Sequence, residues 1–251
     1  MKHNIALIVS YDGTAYSGFQ SQPNQTTIQG KLTAAIESIT NHEVILHGSG
    51  RTDAGVHSHG QVVSFQTNRL LAEERWPFAL NGFLPDDIRV RRAIEVPQDF
   101  HARYSVVEKT YRYYVTNSSV PNVLLRHMQY HFPRTFDEIE MRRAAQVLEG
   151  THDFRAFCAK RSLKENNVRT IYNCDIHKIE NGYCFELRGN GFLHNMVRII
   201  VGTLLRVAEG KKSAEWVREV LENGNRTSAA PTVPAYGLQL WSVKYDLFNS
   251  E

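Results

Sequence analysis

The sequence predicts an α+β protein of two similar units, residues 1–104 and 105–251, joined near residues 101 to 108. Three observations carry that expectation. Hydrophobic periodicity in the first half reads strand, helix, strand, helix, strand. The second half repeats the rhythm and adds a hairpin. No Gly/Ser-rich linker or low-complexity tract interrupts the chain, so the halves are expected to pack together, with a cleft between them as the natural binding site.

Each element has its own justification. Ile5 to Val9 is a short apolar run that ends in the loop "SYDGTAYSGFQSQPNQ", marked by Gly, Pro and Asn. In "TTIQGKLTAAIESIT", Ile28, Leu32, Ala35, Ile36 and Ile39 share one helical face, and Thr26 with Gln29 has capping-box spacing. A glycine-rich loop follows, then a strand over Gln61 to Phe65. "LLAEERWPFALNGFLP" reads as a helix interrupted near Pro77, and Ile88 to Val96 as a strand. Glu108 to Thr116 alternates like a strand and is rich in tyrosine. Thr135 and Glu138 suggest a second capping box, before an apolar stripe of Met141, Ala144, Ala145 and Leu148. Val168 to Ile179 and Tyr183 to Gly189 form a hairpin around Asn181-Gly182. "HNMVRIIVGTLLRVAEG" is a helix with Met196, Ile199, Ile200, Leu204 and Val207 on one face and Gly210 past its end. Ser213 to Asn223 is a shorter helix, and Gly237 to Lys244 a last strand.

Composition excludes several classes. Cys158, Cys174 and Cys184 are odd in number and lack C-x-x-C spacing, which argues against a disulfide scaffold or a thiolate zinc site and for buried free thiols. No apolar run approaches the roughly eighteen residues that span a bilayer. Met1 to Val9 lacks a signal-peptide core, so a cytoplasmic protein without membrane association is expected. The net charge of +3 permits a polyanionic partner without demanding one. The clusters Arg89/Arg91/Arg92, Arg142/Arg143, Lys160/Arg161 and Lys211/Lys212 each read as solvated surface charge.

The chemistry concentrates in "GSGRTDAGVHSHGQVVSF", residues 48 to 65. Gly48, Gly50, Gly55 and Gly60 allow close backbone approach around Arg51 and Asp53. Asp53 is a candidate functional carboxylate that Arg51 would hold ionised; the competing reading is a structural aspartate capping the turn or paired with Arg51. No second acid stands nearby at glycosidase spacing. His57 and His59, with Asp53, have the spacing of an N/O metal site, but no further ligand motif supports it, and they read as loop histidines. Tyr111 and Tyr113 share one strand face and Tyr114 the other; core packing competes with a role in stacking on a nucleic-acid base. Arg198, in the first turns of its helix, opposes the helix dipole and calls for a partner, either a carboxylate such as Asp53 or a phosphate.

Taken together, these residues resemble the TruA-type tRNA pseudouridine synthases along nearly the whole chain. "YDGTAYSGFQSQPNQTTIQGKL", "GSGRTDAGVHSHGQVVSF", "DFHARYSVVEKTYRYYV", "GTHDFRAFC", "VRTI", "GNGFLHNMVRIIVGTLL" and "APTVPAYGLQL" follow in the family's order. Ser58 stands where alanine is common, and Arg155 where a small residue is usual. The resemblance implies that Asp53 is the catalytic aspartate, that Tyr111 packs on the target base, and that Arg51 and Arg198 support Asp53 and the RNA backbone. It implies two RNA-recognition-like (ferredoxin-like) α/β domains whose antiparallel sheets join across a central basic cleft. It further implies a homodimer acting on uridines 38 to 40 of the tRNA anticodon stem-loop with no metal, nucleotide or other cofactor. Two other classes compete: a non-catalytic RNA-binding module, and a metal-dependent hydrolase using Asp53, His57 and His59.

Overall fold

The computed structural model describes residues 2–251. It is a mixed α/β protein with mostly antiparallel strands, and it divides into two compact units. The first comprises the chain up to Val107 together with Gln239–Glu251, and the second is Glu108–Leu238.

The first unit runs β1 (His3–Tyr11), α1 (Ile28–Thr40), β2 (His47–Gly48), β3 (His57–Thr67), α2 (Arg75–Asn81) and β4 (Ile88–Val96). The strands lie in the order β4-β1-β3-β2, each pair antiparallel. Leu7, Val9, Ile28, Leu32, Ile36, Val63, Phe65 and Trp76 form its core. Each such side chain contributes about 1.5–3 kcal/mol relative to exposure.

Two local expectations are corrected here. The N-cap of α1 is Thr27, whose hydroxyl accepts the Gly30 N–H at 3.2 Å, rather than Thr26. Gln29 instead accepts the Ser21 N–H and donates to the Leu46 carbonyl, tying loop to helix. Thr27→Ala is therefore expected to cost about 1 kcal/mol in a denaturant titration. Pro77 does not interrupt α2 either. It occupies the third helical position, where the missing N–H has no intrahelical acceptor to lose.

The second unit runs β5 (Glu108–Thr116), β6 (Tyr130–His131), α3 (Glu138–Val147), β7 (Gly150–Asp153), β8 (Val168–Ile179), β9 (Gly182–Gly189), α4 (Met196–Ala208) and α5 (Ala214–Asn223). Its strands lie in the order β5-β9-β8-β7, each pair antiparallel, and β6 pairs parallel with the end of β5. The β8–β9 hairpin forms, but its two turn residues are Glu180 and Asn181, one position earlier than expected, and Gly182 is already paired with Ile179. A Cβ on Gly182 would stand 2.0 Å from the Val115 carbonyl oxygen, so only glycine fits. The cap of α3 is Asp137, which accepts the Glu140 N–H at 3.0 Å, not Thr135. The Glu138 carboxylate is instead engaged by the Tyr183 hydroxyl at 2.6 Å and by Lys178 at 3.3 Å.

Helix α4 is more deeply placed than a single apolar stripe requires. Val197, Val201, Leu205 and Ala208 are buried as well as the expected face. One reason is the segment after α5. A Cβ on Gly202 would lie 2.4 Å from the Pro231 carbonyl, and Thr203 Oγ1 accepts the Ala230 N–H at 3.3 Å.

The last strand, β10 (Leu238–Lys244), pairs parallel with β3 through Gln239↔His57 and Leu240↔Ser58. That pairing draws Gln239–Glu251 into the first unit, although in sequence this strand follows the second half. The three cysteines are buried and free. Burial pushes the Cys184 thiol up to about 11. No helix among the described residues is long and apolar enough to cross a membrane.

Candidate active-site loop

Asp53 sits, half-buried, in the loop that links β2 to β3. Its carbonyl accepts the Val56 N–H at 3.1 Å, closing a turn in which Gly55 takes a φ of +76°, as the third position of a type II turn requires. The neighbouring Thr52 is buried; its hydroxyl bonds the Tyr11 hydroxyl at 2.8 Å and its carbonyl accepts the Phe19 N–H at 3.1 Å. Burial pushes the Tyr11 phenol up to about 12, so this contact stays a neutral hydrogen bond at physiological pH. Earlier in the loop, Gln61 on β3 receives the Ser49 hydroxyl at 2.5 Å and donates to the Gly50 carbonyl at 3.0 Å. The residues leading into Asp53 are thus tied to β1 and β3.

The floor of the loop is residues 12 to 19, part of the segment read from the sequence as a loop. A Cβ on Gly13 would overlap the Val56 carbonyl oxygen at 2.0 Å. Gly18, at φ +94°, would place one 2.9 Å from the Thr52 carbonyl oxygen. A Cβ on Gly48 would strike the Phe19 ring at 2.5 Å. Glycines in "YDGTAYSGF" were the available signal, yet their partners forty residues away are invisible to local pattern reading.

His57 belongs to this floor. Its Nδ1 lies 3.1 Å from the Gly13 N–H and 3.0 Å from the Asp12 carboxylate. His59 stacks on Trp241 at 4.3 Å, and Arg91 donates to the His59 carbonyl at 2.9 Å. Among the described residues no three His, Cys, Asp or Glu side chains are grouped to hold a metal ion. For Asp12, burial alone raises the carboxyl pKa, but hydrogen bonds from Thr14 and the neighbouring His57 outweigh it and hold the value below the ordinary one. A carboxylate with a lower pKa folded than unfolded lends stability above its unfolded pKa and loses it as pH falls through the folded value. The thermal midpoint is therefore expected to decline on acidification below about pH 4, and Asp12→Asn to flatten that limb.

Arg51 is exposed at the edge of the loop. Tyr111 and Arg198 lie in the second unit. Tyr111, on β5, is only 8% exposed and meets Phe192 edge-on at 5.2 Å. Tyr113, on the same strand, is fully buried and donates to the Pro234 carbonyl at 2.8 Å, so it is a core residue. Arg198 occupies the third position of α4, donating to Asn195 Oδ1 and to the Val233 carbonyl, both at 2.9 Å. The partner expected from the helix dipole thus includes a side-chain amide oxygen and a main-chain carbonyl. Asn195 caps α4 in the left-handed conformation, at φ 64°. The segment from Phe192 to Arg198 therefore buttresses Tyr111 at one end and orients Arg198 at the other.

Sequence reasoning missed Arg226. Its guanidinium donates to the Ala230 carbonyl at 3.0 Å and to Thr232 at 3.3 Å, holding the loop that carries Val233.

Comparison with known proteins places this arrangement. The family model described as tRNA pseudouridine synthase matches residues 7–105 and 144–246. A tRNA pseudouridine synthase A of Bacillus pumilus is 48% identical over 244 residues, covering 96% of this chain and 99% of that protein. The proteins of the same name from Anoxybacillus flavithermus and Bacillus subtilis are 46% and 45% identical, covering 96% and 95% of this chain and 98% and 97% of their own lengths. A solved structure of a Cbf5-Nop10-Gar1 complex overlays with a TM-score of 0.37 at 12% identity, over 92% of this chain and 56% of that one. On the family match and on identity that spans both chains almost end to end, this chain belongs to the tRNA pseudouridine synthases, a family of isomerases.

Proposed function

We propose that this protein isomerises uridine to pseudouridine at positions 38 to 40 of the tRNA anticodon stem-loop, with Asp53 as its single catalytic residue. The observation that carries the reading is the half-buried Asp53 on a loop whose approach, from Ser49 to Thr52, is bonded to the sheet strands β1 and β3. Such a carboxylate is held in place without reorganisation at the moment of reaction. The atoms balance with no co-reactant. The N1–C1′ bond of uridine breaks, the uracil turns, C5 bonds to C1′, C5 gives up its proton and N1 regains one. Asp53 serves as nucleophile at the sugar or the base, or as base at the ribose 2′ proton.

Tyr111 would hold the detached uracil, its ring braced by Phe192. Arg198, oriented by Asn195 and Val233, and exposed Arg51 would meet the carboxylate and the phosphates. The βαββαβ order and the β4-β1-β3-β2 sheet support an RNA-recognition-like reading of the first unit. A homodimer belongs to the same proposal. Phosphate contacts make binding salt-sensitive, and affinity for tRNA is expected to fall about tenfold or more between 50 and 200 mM salt.

The test is tritium release from tRNA carrying C5-tritiated uridine, read beside tRNA binding. Release at anticodon-arm uridines supports the proposal. Tight binding with no release favours the RNA-binding module instead, and cleavage of the RNA without tritium release, lost on chelation, favours the metal-dependent hydrolase.

A further inference from the structure

A ladder of rings stands beside the entry to the Asp53 loop. The His47 and His101 rings are 4.3 Å apart at 35°, and the His101 and Tyr104 rings 4.5 Å apart at 40°. The Arg103 guanidinium lies 5.4 Å from the centre of the Tyr104 ring. His47 is the residue immediately before Gly48, where the loop begins.

The main chain builds this ladder rigidly. His47 on β2 pairs with Ser64 on β3, and the Ser64 hydroxyl accepts the Ala102 N–H at 3.1 Å. One β3 residue thereby sets position 47 beside position 101. The Ala102 carbonyl accepts the Tyr245 hydroxyl at 2.6 Å. Tyr104 and Ser105 both donate their N–H groups to the His101 carbonyl at 3.0 Å. His101 Nδ1 accepts the Arg103 N–H at 3.1 Å, which locks the imidazole plane.

The outer end is nonetheless open. Tyr104 is 74% exposed, and His47 and Arg103 are exposed as well. Rings recruited only for packing are placed inside, where their apolar area contributes. Imidazole, phenol and guanidinium planes fixed at one spot and turned to solvent are the elements on which unpaired bases stack. Arg103 adds a cation to the ladder itself, which suits a phosphate backbone.

We propose that the His47–His101–Tyr104–Arg103 ladder is a nucleotide-stacking site that holds a second unstacked base of the RNA substrate, outside the site of Asp53. The inference rests on the pseudouridine-synthase reading and deepens it. Removing a uridine from a stem forfeits stacking on both of its neighbours, and a platform for the base displaced with it offsets that loss.

The experiment measures tRNA affinity, tritium-release kinetics and photocrosslinking together. Most of Tyr104 is in water, so its truncation leaves the core intact and the variants should melt with the parent. Tyr104→Ala is expected to weaken tRNA binding and raise KM about tenfold with kcat retained, whereas Tyr104→Phe stays within about twofold of the parent. An anticodon arm carrying 4-thiouridine should crosslink to the tryptic peptide Tyr104–Lys109. Parental affinity and KM in Tyr104→Ala, or altered sedimentation of that variant with no crosslink, overturns the ladder while leaving the isomerase reading intact. Binding and crosslinking at Tyr104 with no tritium release from the parent overturns the isomerase reading and leaves the ladder standing.

Discussion

Asp53→Asn is expected to bind tRNA as the parent does and to lose about a thousandfold or more in turnover. The substitution keeps the shape of the side chain. It leaves in place the contacts that the loop makes through Thr52, Ser49, Gln61 and the Asp53 carbonyl. What it removes is the negative charge and the lone-pair basicity on which every version of the isomerisation depends. Binding survives because phosphate contacts come from cationic groups that the change leaves in place. Single-turnover tritium release, beside a filter-binding titration at fixed salt, reads both quantities. Full turnover by Asp53→Asn would sink the assignment of catalysis to this carboxylate.

Gly13→Ala is expected to lower kcat/KM about a hundredfold without touching any group that meets substrate. The added methyl would stand 2.0 Å from the Val56 carbonyl oxygen, and neither atom belongs to a flexible side chain. One of two backbones must therefore move, and the Val56 side of the contact is the end of the Asp53 turn. Overpacking of this kind costs about 1–3 kcal/mol, so the thermal midpoint should fall as activity does. A Gly13→Ala protein with parental kcat/KM would mean that the floor of the loop does not govern the position of Asp53.

Much of the fold was legible because its signals are local. The long helices α1 and α4 announce themselves by apolar spacing, and the β8–β9 hairpin by Asn181-Gly182. Capping positions were less so. At both α1 and α3 two oxygen-bearing side chains compete within two residues, Thr26 with Thr27 and Thr135 with Asp137, and the winner depends on where the incoming chain turns. The depth of α4 was underestimated because the 229–233 segment that covers its second face lies some thirty residues downstream.

The sequence by itself determined the element types, the glycine-framed loop with Arg51 and Asp53, and, through motifs in a fixed order, membership in the tRNA pseudouridine synthases. Only the tertiary structure decided what holds that loop: Gly13 and Gly18 under its backbone, Tyr11 and Gln61 bonded to the residues leading into Asp53, and the ring ladder at its entry. It also decided that β10 pairs with β3. The physical reason is separation along the chain. Propensity and periodicity act over a few residues, whereas these contacts join groups from eleven to nearly two hundred positions apart, and register and close approach between them exist only once the chain has folded.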